Sequence, residues 1–272
     1  MRLSLLLLAF MLLSACAGRP GMLKDGPPTG SVAIPDLPED PIPRPEPRSR
    51  YGNMPEYEVL GKTYRVMDSS RGYREQGVAS WYGTKFHGRL TSNRETYDMF
   101  AMTAAHKTLP LPTYVEVRNL RNNKTIIVRV NDRGPFAHNR IIDLSYAAAM
   151  KLDMVDTGTA LVEVRAIDFG APSSGDRPTR ASSEPPRDFS VPDNPGPVYV
   201  QVGAFGSRDN AERLYRRLQR ANIGNVLVVT DSHKELFRVR IGPVKSVHQF
   251  DILSDELEGL GIETRYLVTP ES

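Results

Sequence analysis

The sequence predicts two small folded units in series: a closed β-barrel of short strands, then an α+β unit of βαββαβ order, with proline-rich linkers before and between them. Three observations carry this. Residues 76–169 hold short strand-forming runs with hairpin signals and a single helical stretch. Residues 198–269 alternate strand-like runs with two apolar patterns of helical period. The proline clusters around them have few apolar residues and cannot bury a core.

In chain order, Met1-Arg2 supplies one positive charge, and a nearly unbroken apolar run at 3–13 ends in Leu13-Ser14-Ala15-Cys16. That is the pattern of a signal peptide, assigned to residues 1–15. The run is about half the ~20 residues that a membrane span requires. Cys16 is the only cysteine in 272 residues, so no disulfide forms within the chain. The tetrapeptide resembles the bacterial lipobox, which implies cleavage before Cys16 and lipidation of its sulfur and new amino terminus. Several buried acyl chains anchor stably where one does not. Ala17, in place of the aspartate that retains many lipoproteins at the inner membrane, favours the periplasmic face of the outer membrane by the same resemblance.

Residues 16–75 are assigned to a tether. From residue 17 to about Pro55 the chain is dense in proline, including Pro27-Pro28, Pro41, Pro43, Pro45 and Pro47. In polyproline II form, ~40 residues at about 3.1 Å each reach on the order of 100 Å. The net charge of +3 with 25% charged residues describes an ordinary soluble protein and excludes a polybasic nucleic-acid binder.

In the first unit, residues 78–82, 114–120 and 124–131 read as strands, with Asn122-Asn123 as a hairpin signal. A short helix follows at 146–152, capped by Ser145, and a closing strand at 160–167. Prolines from Pro172 to Pro197 mark a linker at 170–197. In the second unit, strands are expected at 199–205, 226–230, 236–241 and 264–268. Ser207 caps a helix that buries Ala211, Leu214, Tyr215 and Leu218. A helix at 246–260 buries Phe250, Leu253, Leu257 and Leu260 and ends at Gly261. This order predicts both helices on one face of a four-stranded antiparallel sheet, the ferredoxin-like arrangement.

Polar and ionisable residues gather in four joints of the first unit, where a scaffold displays function. They are Ala79-Ser80-Trp81-Tyr82-Gly83 running on to Phe86-His87-Gly88, Glu95-Thr96-Tyr97-Asp98-Met99, Thr103-Ala104-Ala105-His106-Lys107, and Val130-Asn131-Asp132-Arg133-Gly134-Pro135-Phe136. Together with Arg140-Ile141-Ile142-Asp143-Leu144-Ser145-Tyr146-Ala147-Ala148-Ala149, they resemble the rare lipoprotein A family over residues 77–169. The resemblance implies a six-stranded double-psi β-barrel and a septal lytic transglycosylase that cuts the β-1,4 bond between N-acetylmuramic acid and N-acetylglucosamine, leaving a 1,6-anhydro end. Glu95, Asp98, His106 and Asp132 match the family's essential polar set. Arg94 stands where the family usually has glycine. If that glycine held a positive φ, arginine would strain the turn by roughly 1 kcal/mol.

Glycoside hydrolases use two carboxyl groups, whereas in a lytic transglycosylase the sugar's own C6 hydroxyl is the nucleophile, so one carboxyl can act first as acid and then as base. Asp132 is assigned that role because it ends an apolar strand and enters a Gly-Pro turn. Glu95 is the second choice, or the charge that steadies the developing cation; Asp98 and His106 would orient the site. The competing reading pairs Asp132 with Arg129 or Arg133, which would lower its pKa, and makes His106 a structural histidine. His87, Glu95, Asp98 and His106 raise a zinc site, but no His-Glu-x-x-His motif is present. Neither a metal nor a cofactor is expected.

In the second unit, strict alternation places Tyr199, Gln201, Gly203 and Phe205 on one face and Val200, Val202 and Ala204 under the helices. Arg238 and Arg240 share a face opposite Phe237, Val239 and Ile241. Gln201, Arg238 and Arg240 thus line the uncovered face, with Gly203 permitting close approach and Tyr199 or Phe205 available for stacking. The runs Tyr199-Val200-Gln201-Val202-Gly203-Ala204-Phe205 and Phe237-Arg238-Val239-Arg240-Ile241-Gly242-Pro243 resemble the SPOR domain, which implies binding to glycan stripped of stem peptides. The bland alternative is that the arginines only solvate the sheet. RNA-recognition domains share this topology, but their aromatic strand signature is absent. Together the resemblances imply partners that are denuded peptidoglycan strands, a membrane through the lipid anchor, and divisome proteins with amidases acting upstream, and no nucleic acid. A non-catalytic wall-binding lipoprotein is the alternative.

Overall fold

The computed structural model describes residues 25–28, 37–137, 139–169, 196–231, 235–262 and 266–269. The signal peptide, Cys16 and nearly all of the 170–197 linker lie outside the described residues. Among those described, no helix is long and apolar enough to cross a membrane.

The segment ahead of the barrel differs from the expected free tether. Strands β1 (Glu56–Val59) and β2 (Lys62–Arg65) form an antiparallel hairpin. Upstream of it, residues 40–53 lie along the barrel as a strap held by polar contacts. Asp40 Oδ2 accepts from Ile127 N at 2.6 Å, Glu46 Oε1 from Tyr114 Oη at 2.6 Å, and Ser49 N donates to Leu111 O at 2.8 Å. Asn53 exchanges two bonds with the Leu111 backbone, at 2.7 and 2.8 Å. Proline density shows correctly that this segment has no apolar core. It does not show that carboxylates and amides can hold an extended chain against a folded neighbour.

The barrel comprises β3 (Arg74–Tyr82), β4 (Thr103–His106), β5 (Thr113–Asn119), β6 (Thr125–Asp132), β7 (Arg140–Ser145) and β8 (Thr159–Ala166), closed in the order β3-β7-β4-β6-β5-β8. Two parallel pairs, β3 with β7 and β4 with β6, cross through otherwise antiparallel neighbours. Alternation builds the core: Val115, Val117, Val128, Val130, Val162 and Val164 are fully buried, each worth about 1.5–3 kcal/mol. Asn123 takes a φ of +59° in the β5–β6 turn, the left-handed region that asparagine tolerates. Helix α1 (Tyr146–Lys151) begins at Ser145, whose Oγ accepts from Ala148 N at 3.2 Å. Strands β4 and β7 escape the sequence reading; β4 has four residues, and its Ala-Ala-His has little strand propensity.

In the second unit β9 (Tyr199–Phe205), α2 (Arg208–Arg220), β10 (Val226–Asp231), β11 (Leu236–Ile241), α3 (Val247–Gly259) and β12 (Tyr266–Val268) form a sheet of order β10-β11-β9-β12, antiparallel throughout. The two helices bury Ala211, Leu218, Phe250 and Leu257. Ser246 Oγ caps α3 through Gln249 N at 3.1 Å, whereas Ser207 stands at the α2 cap position without a side-chain bond.

A bulge corrects the face assignment in β9. Val239 pairs with Gly203 but the next residue, Arg240, pairs with Gln201, so Val202 is skipped. One extra residue reverses the alternation beyond it. Ala204 is exposed, while Phe205 packs with Leu214 and Phe237 against the core. Gly203 therefore belongs to the helix-covered side, where an added Cβ would lie 2.6 Å from the Phe205 ring and 3.1 Å from Leu214. Neither Gly203 nor Phe205 is part of the open face.

Candidate active site

The loop between β3 and β4 clasps the end of β6. Ser92 reaches Asp132 twice, through its backbone N at 2.7 Å and its Oγ at 2.6 Å, and Arg133 N adds a third bond at 2.7 Å, all to Oδ1. Three residues on, Glu95 receives both oxygens' bonds from Arg129 Nη1 at 2.9 and 2.8 Å and one from Asn131 Nδ2 at 2.8 Å. Burial works to raise the Glu95 pKa, but the bonds from Arg129 and Asn131 outweigh it and the net shift is downward. Arg94, at the apex, has a φ of +72°, the strained conformation that its substitution for glycine suggested.

Neither nearby guanidinium bonds the Asp132 carboxylate. Arg129 divides its guanidinium between Glu95 and Glu46, bonding the latter at 3.0 and 2.8 Å. Arg133 points into the barrel wall, donating to Gly52 O at 2.8 Å, His106 O at 3.1 Å, Leu109 O at 2.6 Å and Asn53 Oδ1 at 3.2 Å.

A second carboxyl, which the sequence reading quotes but assigns no role, shares this mouth. Asp143 on β7 and Asp132 on β6 both pair with Ala105 of β4, one from each side. Their Cα atoms thus stand two strand spacings apart, roughly 10 Å. A Cβ on Gly134 would be 3.8 Å from both Asp143 Oδ2 and Ala105 Cβ, so the Gly-Pro turn after Asp132 folds over Asp143. Burial raises the Asp143 pKa, opposed by a short hydrogen bond from Ser80 Oγ and by the charges of Lys107 and Arg140. Tyr82, buried on β3 and stacked on Tyr97 with ring centroids 4.1 Å apart, feels both carboxylates.

The family assignment follows from the whole chain. A family model described as lytic transglycolase matches residues 74–164, the barrel, and a SPOR domain model matches residues 194–262. The endolytic peptidoglycan transglycosylase RlpA of Vibrio cholerae is 40% identical over 274 residues, covering 98% of this chain and 97% of that protein. This chain belongs to the RlpA family. The RlpA of Pseudomonas aeruginosa PAO1 is 39% identical over 294 residues, covering 91% and 85%. The crystal structure of an RlpA SPOR domain from Pseudomonas aeruginosa matches at 31% identity over 27% of this chain and 99% of that one, with a TM-score of 0.25.

The other two residues matched to the RlpA family's polar set, His106 and Asp98, make no hydrogen bond or ion pair with Asp132 or Asp143 among the described residues. His106 is 3% exposed. Its Nδ1 accepts from Thr108 N at 3.1 Å and Leu109 N at 3.0 Å. Tyr73 Oη gives its one proton to Glu75 at 2.6 Å, so His106 Nε2–H donates to Tyr73 at 2.8 Å. Burial, with Arg133 and Lys107 beside it, pushes the His106 pKa down to about 3. This is a neutral histidine that shapes the turn whose carbonyls grip Arg133. Asp98 is exposed, caps Phe100 N at 3.0 Å and stands 3.7 Å from His87 Nδ1. Among the described residues no group of three or more His, Cys, Asp and Glu is placed to hold a metal ion.

On the SPOR sheet, Arg238 and Arg240 share the face opposite Phe237, Val239 and Ile241, and both donate to Gln201 Oε1 at 3.4 Å, but Arg240 is only 6% exposed, so the expectation that it lines an uncovered face does not hold. Arg238 also pairs with Asp231 at 2.9 Å. Burial lowers the Arg240 pKa, with the neighbouring Arg238 charge adding to it. Gln201 thus touches both arginines, while Asp231 is the closer partner of Arg238.

Proposed function

We propose that this RlpA-family chain is an endolytic lytic transglycosylase that cleaves the N-acetylmuramic acid β-1,4-N-acetylglucosamine bond of denuded peptidoglycan. The observation that carries the reading is the pair of carboxyls in register across Ala105. Their environments differ: Asp132 is fixed by three donors, whereas half-buried Asp143 has its pKa raised by desolvation. Groups whose surroundings differ in this way divide acid and base roles.

In this reading Asp143 protonates the departing glycosidic oxygen as the C1–O bond breaks. The C6 hydroxyl of the same muramic residue bonds to C1, closing the 1,6-anhydro ring, and its proton passes to Asp132. Water takes no part. Glu95, held as a carboxylate, steadies positive charge at the sugar and fixes the loop that positions Asp132. His106 and Asp98 act through the backbone turns they stabilise. Gln201 and Arg238 hold glycan hydroxyl and acetamide groups on the second unit, with the buried Arg240 beneath Gln201.

The signal peptide and the Cys16 lipobox support export and a lipid anchor at the periplasmic face of the outer membrane, and the SPOR unit supports enrichment at septa where amidases have stripped stem peptides. The test is mass spectrometry of amidase-treated sacculi digested by the full chain. Wild type should release 1,6-anhydro ends, and Asp143→Asn and Asp132→Asn should each lower release by about 10²–10⁴-fold. Undiminished release by both variants removes the pair from the mechanism. Absence of anhydro ends with wild type leaves a wall-binding lipoprotein.

A further inference from the structure

The strap and hairpin ahead of the barrel form one wall of a pocket next to Asp132. Its lining runs from Arg50, Tyr51 and Tyr57 on that segment to Ser92 and Arg94 on the clasping loop and Arg133 beyond β6. Ser92, which holds Asp132, is thus also part of the pocket. The lining contains three arginines and no carboxylate. Tyr51 organises two of them: the Arg94 guanidinium lies 4.9 Å from its ring centroid and that of Arg50 5.8 Å, while Arg133 lies 5.9 Å from the Tyr57 ring.

Among the described residues, neither Arg50 nor Arg94 is ion-paired, and both are exposed. Arg133 bonds only neutral oxygens through its guanidinium. On the barrel strands, by contrast, arginines are neutralised, as Arg129 is by Glu46 and Glu95 and Arg74 by Glu163. Backbone strain at Arg94 points the same way. Glycine would suit its φ of +72°, yet a cation occupies the position and stacks on a ring supplied by the strap. Tyrosine faces suit sugar rings, and a guanidinium fork suits a carboxylate.

We infer that this pocket is a subsite for the free lactyl carboxylate of an N-acetylmuramic acid residue next to the scissile bond, with Arg94 and Arg50 as the residues that read it. The inference rests on the glycan-cleaving reading above and adds where denuded glycan is recognised. On a strand bearing stem peptides the lactyl group is an uncharged amide. On a denuded strand it is an anion. The barrel itself thus selects stripped glycan, separately from the SPOR unit.

The test is titration of the full chain with three glycans of equal length: alternating N-acetylglucosamine–N-acetylmuramic acid with free lactyl groups, the same with those groups amidated, and the same carrying stem peptides. Wild type should bind the free-carboxylate glycan about 10-fold more tightly than the amide, with peptide-bearing glycan resembling the amide. Arg94→Gly, whose backbone suits the turn, and Arg50→Gln, at an exposed site, should each bring the ratio to within about 3-fold at an unchanged melting temperature. The SPOR unit is identical in all three proteins, so the change in ratio reports the barrel pocket alone. An unchanged ratio in both variants, or equal binding of all three glycans by wild type, overturns the inference. So does peptide-bearing glycan binding like the free acid, which would mean a pocket for any carboxylate. Release of anhydro ends decides the catalytic reading independently, because the binding ratio requires no turnover.

Discussion

Glu46 shows how one carboxylate joins a proline-rich segment to a barrel. Its two oxygens take a forked pair of bonds from Arg129 and one from Tyr114, and the Arg129 bonds, with that arginine's charge, hold its pKa down to about 2. A carboxyl whose folded pKa is depressed contributes stability that is present above its unfolded value, near 4.5, and is lost as pH falls towards 2. Glu46→Gln should therefore destabilise the barrel by about 1 kcal/mol at pH 7 after allowance for solvent screening. The melting-temperature difference from wild type should shrink between pH 5 and pH 2, and a difference independent of pH would refute the charge-based account. His106 illustrates the opposite limit. A histidine in a polar-rich joint reads from sequence as either an orienter of the site or a structural residue, and burial with two backbone donors on Nδ1 keeps it neutral within a turn.

At the scale of elements, strands that are long and alternating are legible, and the helices fall within a residue or two of their expected starts, α1 and α3 behind serines that cap and α2 behind one that does not. What was not legible was register. A single skipped residue at Val202 reverses the outer half of β9, because a strand's side chains have period two and any insertion exchanges the faces. Gly203 looked like an opening for a ligand and is a space for the Phe205 ring. Gly203→Ala should cost about 1–3 kcal/mol by overpacking, read as a lowered melting temperature of the second unit. A neutral outcome would show that the Phe205 ring can turn aside. The same limit applies to β4, too short to announce itself, although it sets the spacing between Asp132 and Asp143.

For the whole molecule, two glycan-directed units on one chain make the second binding event intramolecular, so their affinities combine through effective concentration. Weakening the SPOR face should then reduce retention on long polymers far more than turnover of short ones. Arg238→Ala should lower co-sedimentation of the full chain with amidase-treated walls by about 10-fold or more, while release of anhydro ends from short soluble glycans stays within about 2-fold of wild type. Equal retention of both proteins would place wall binding elsewhere.

Hydrophobic periodicity, cap residues and proline density determined the division into two units, the nature of each, and the joints where polar residues collect. These are local properties, written within windows of a few residues by the 2.0 and 3.6 residue periods of strand and helix. Tertiary structure decided which of those polar residues meet. It set Asp143 beside Asp132, turned Arg129 towards Glu46 and Glu95, buried His106, and brought Tyr51 under Arg94. Such pairings depend on barrel closure and on the strap's path, which join residues far apart in the chain, and no local window encodes them.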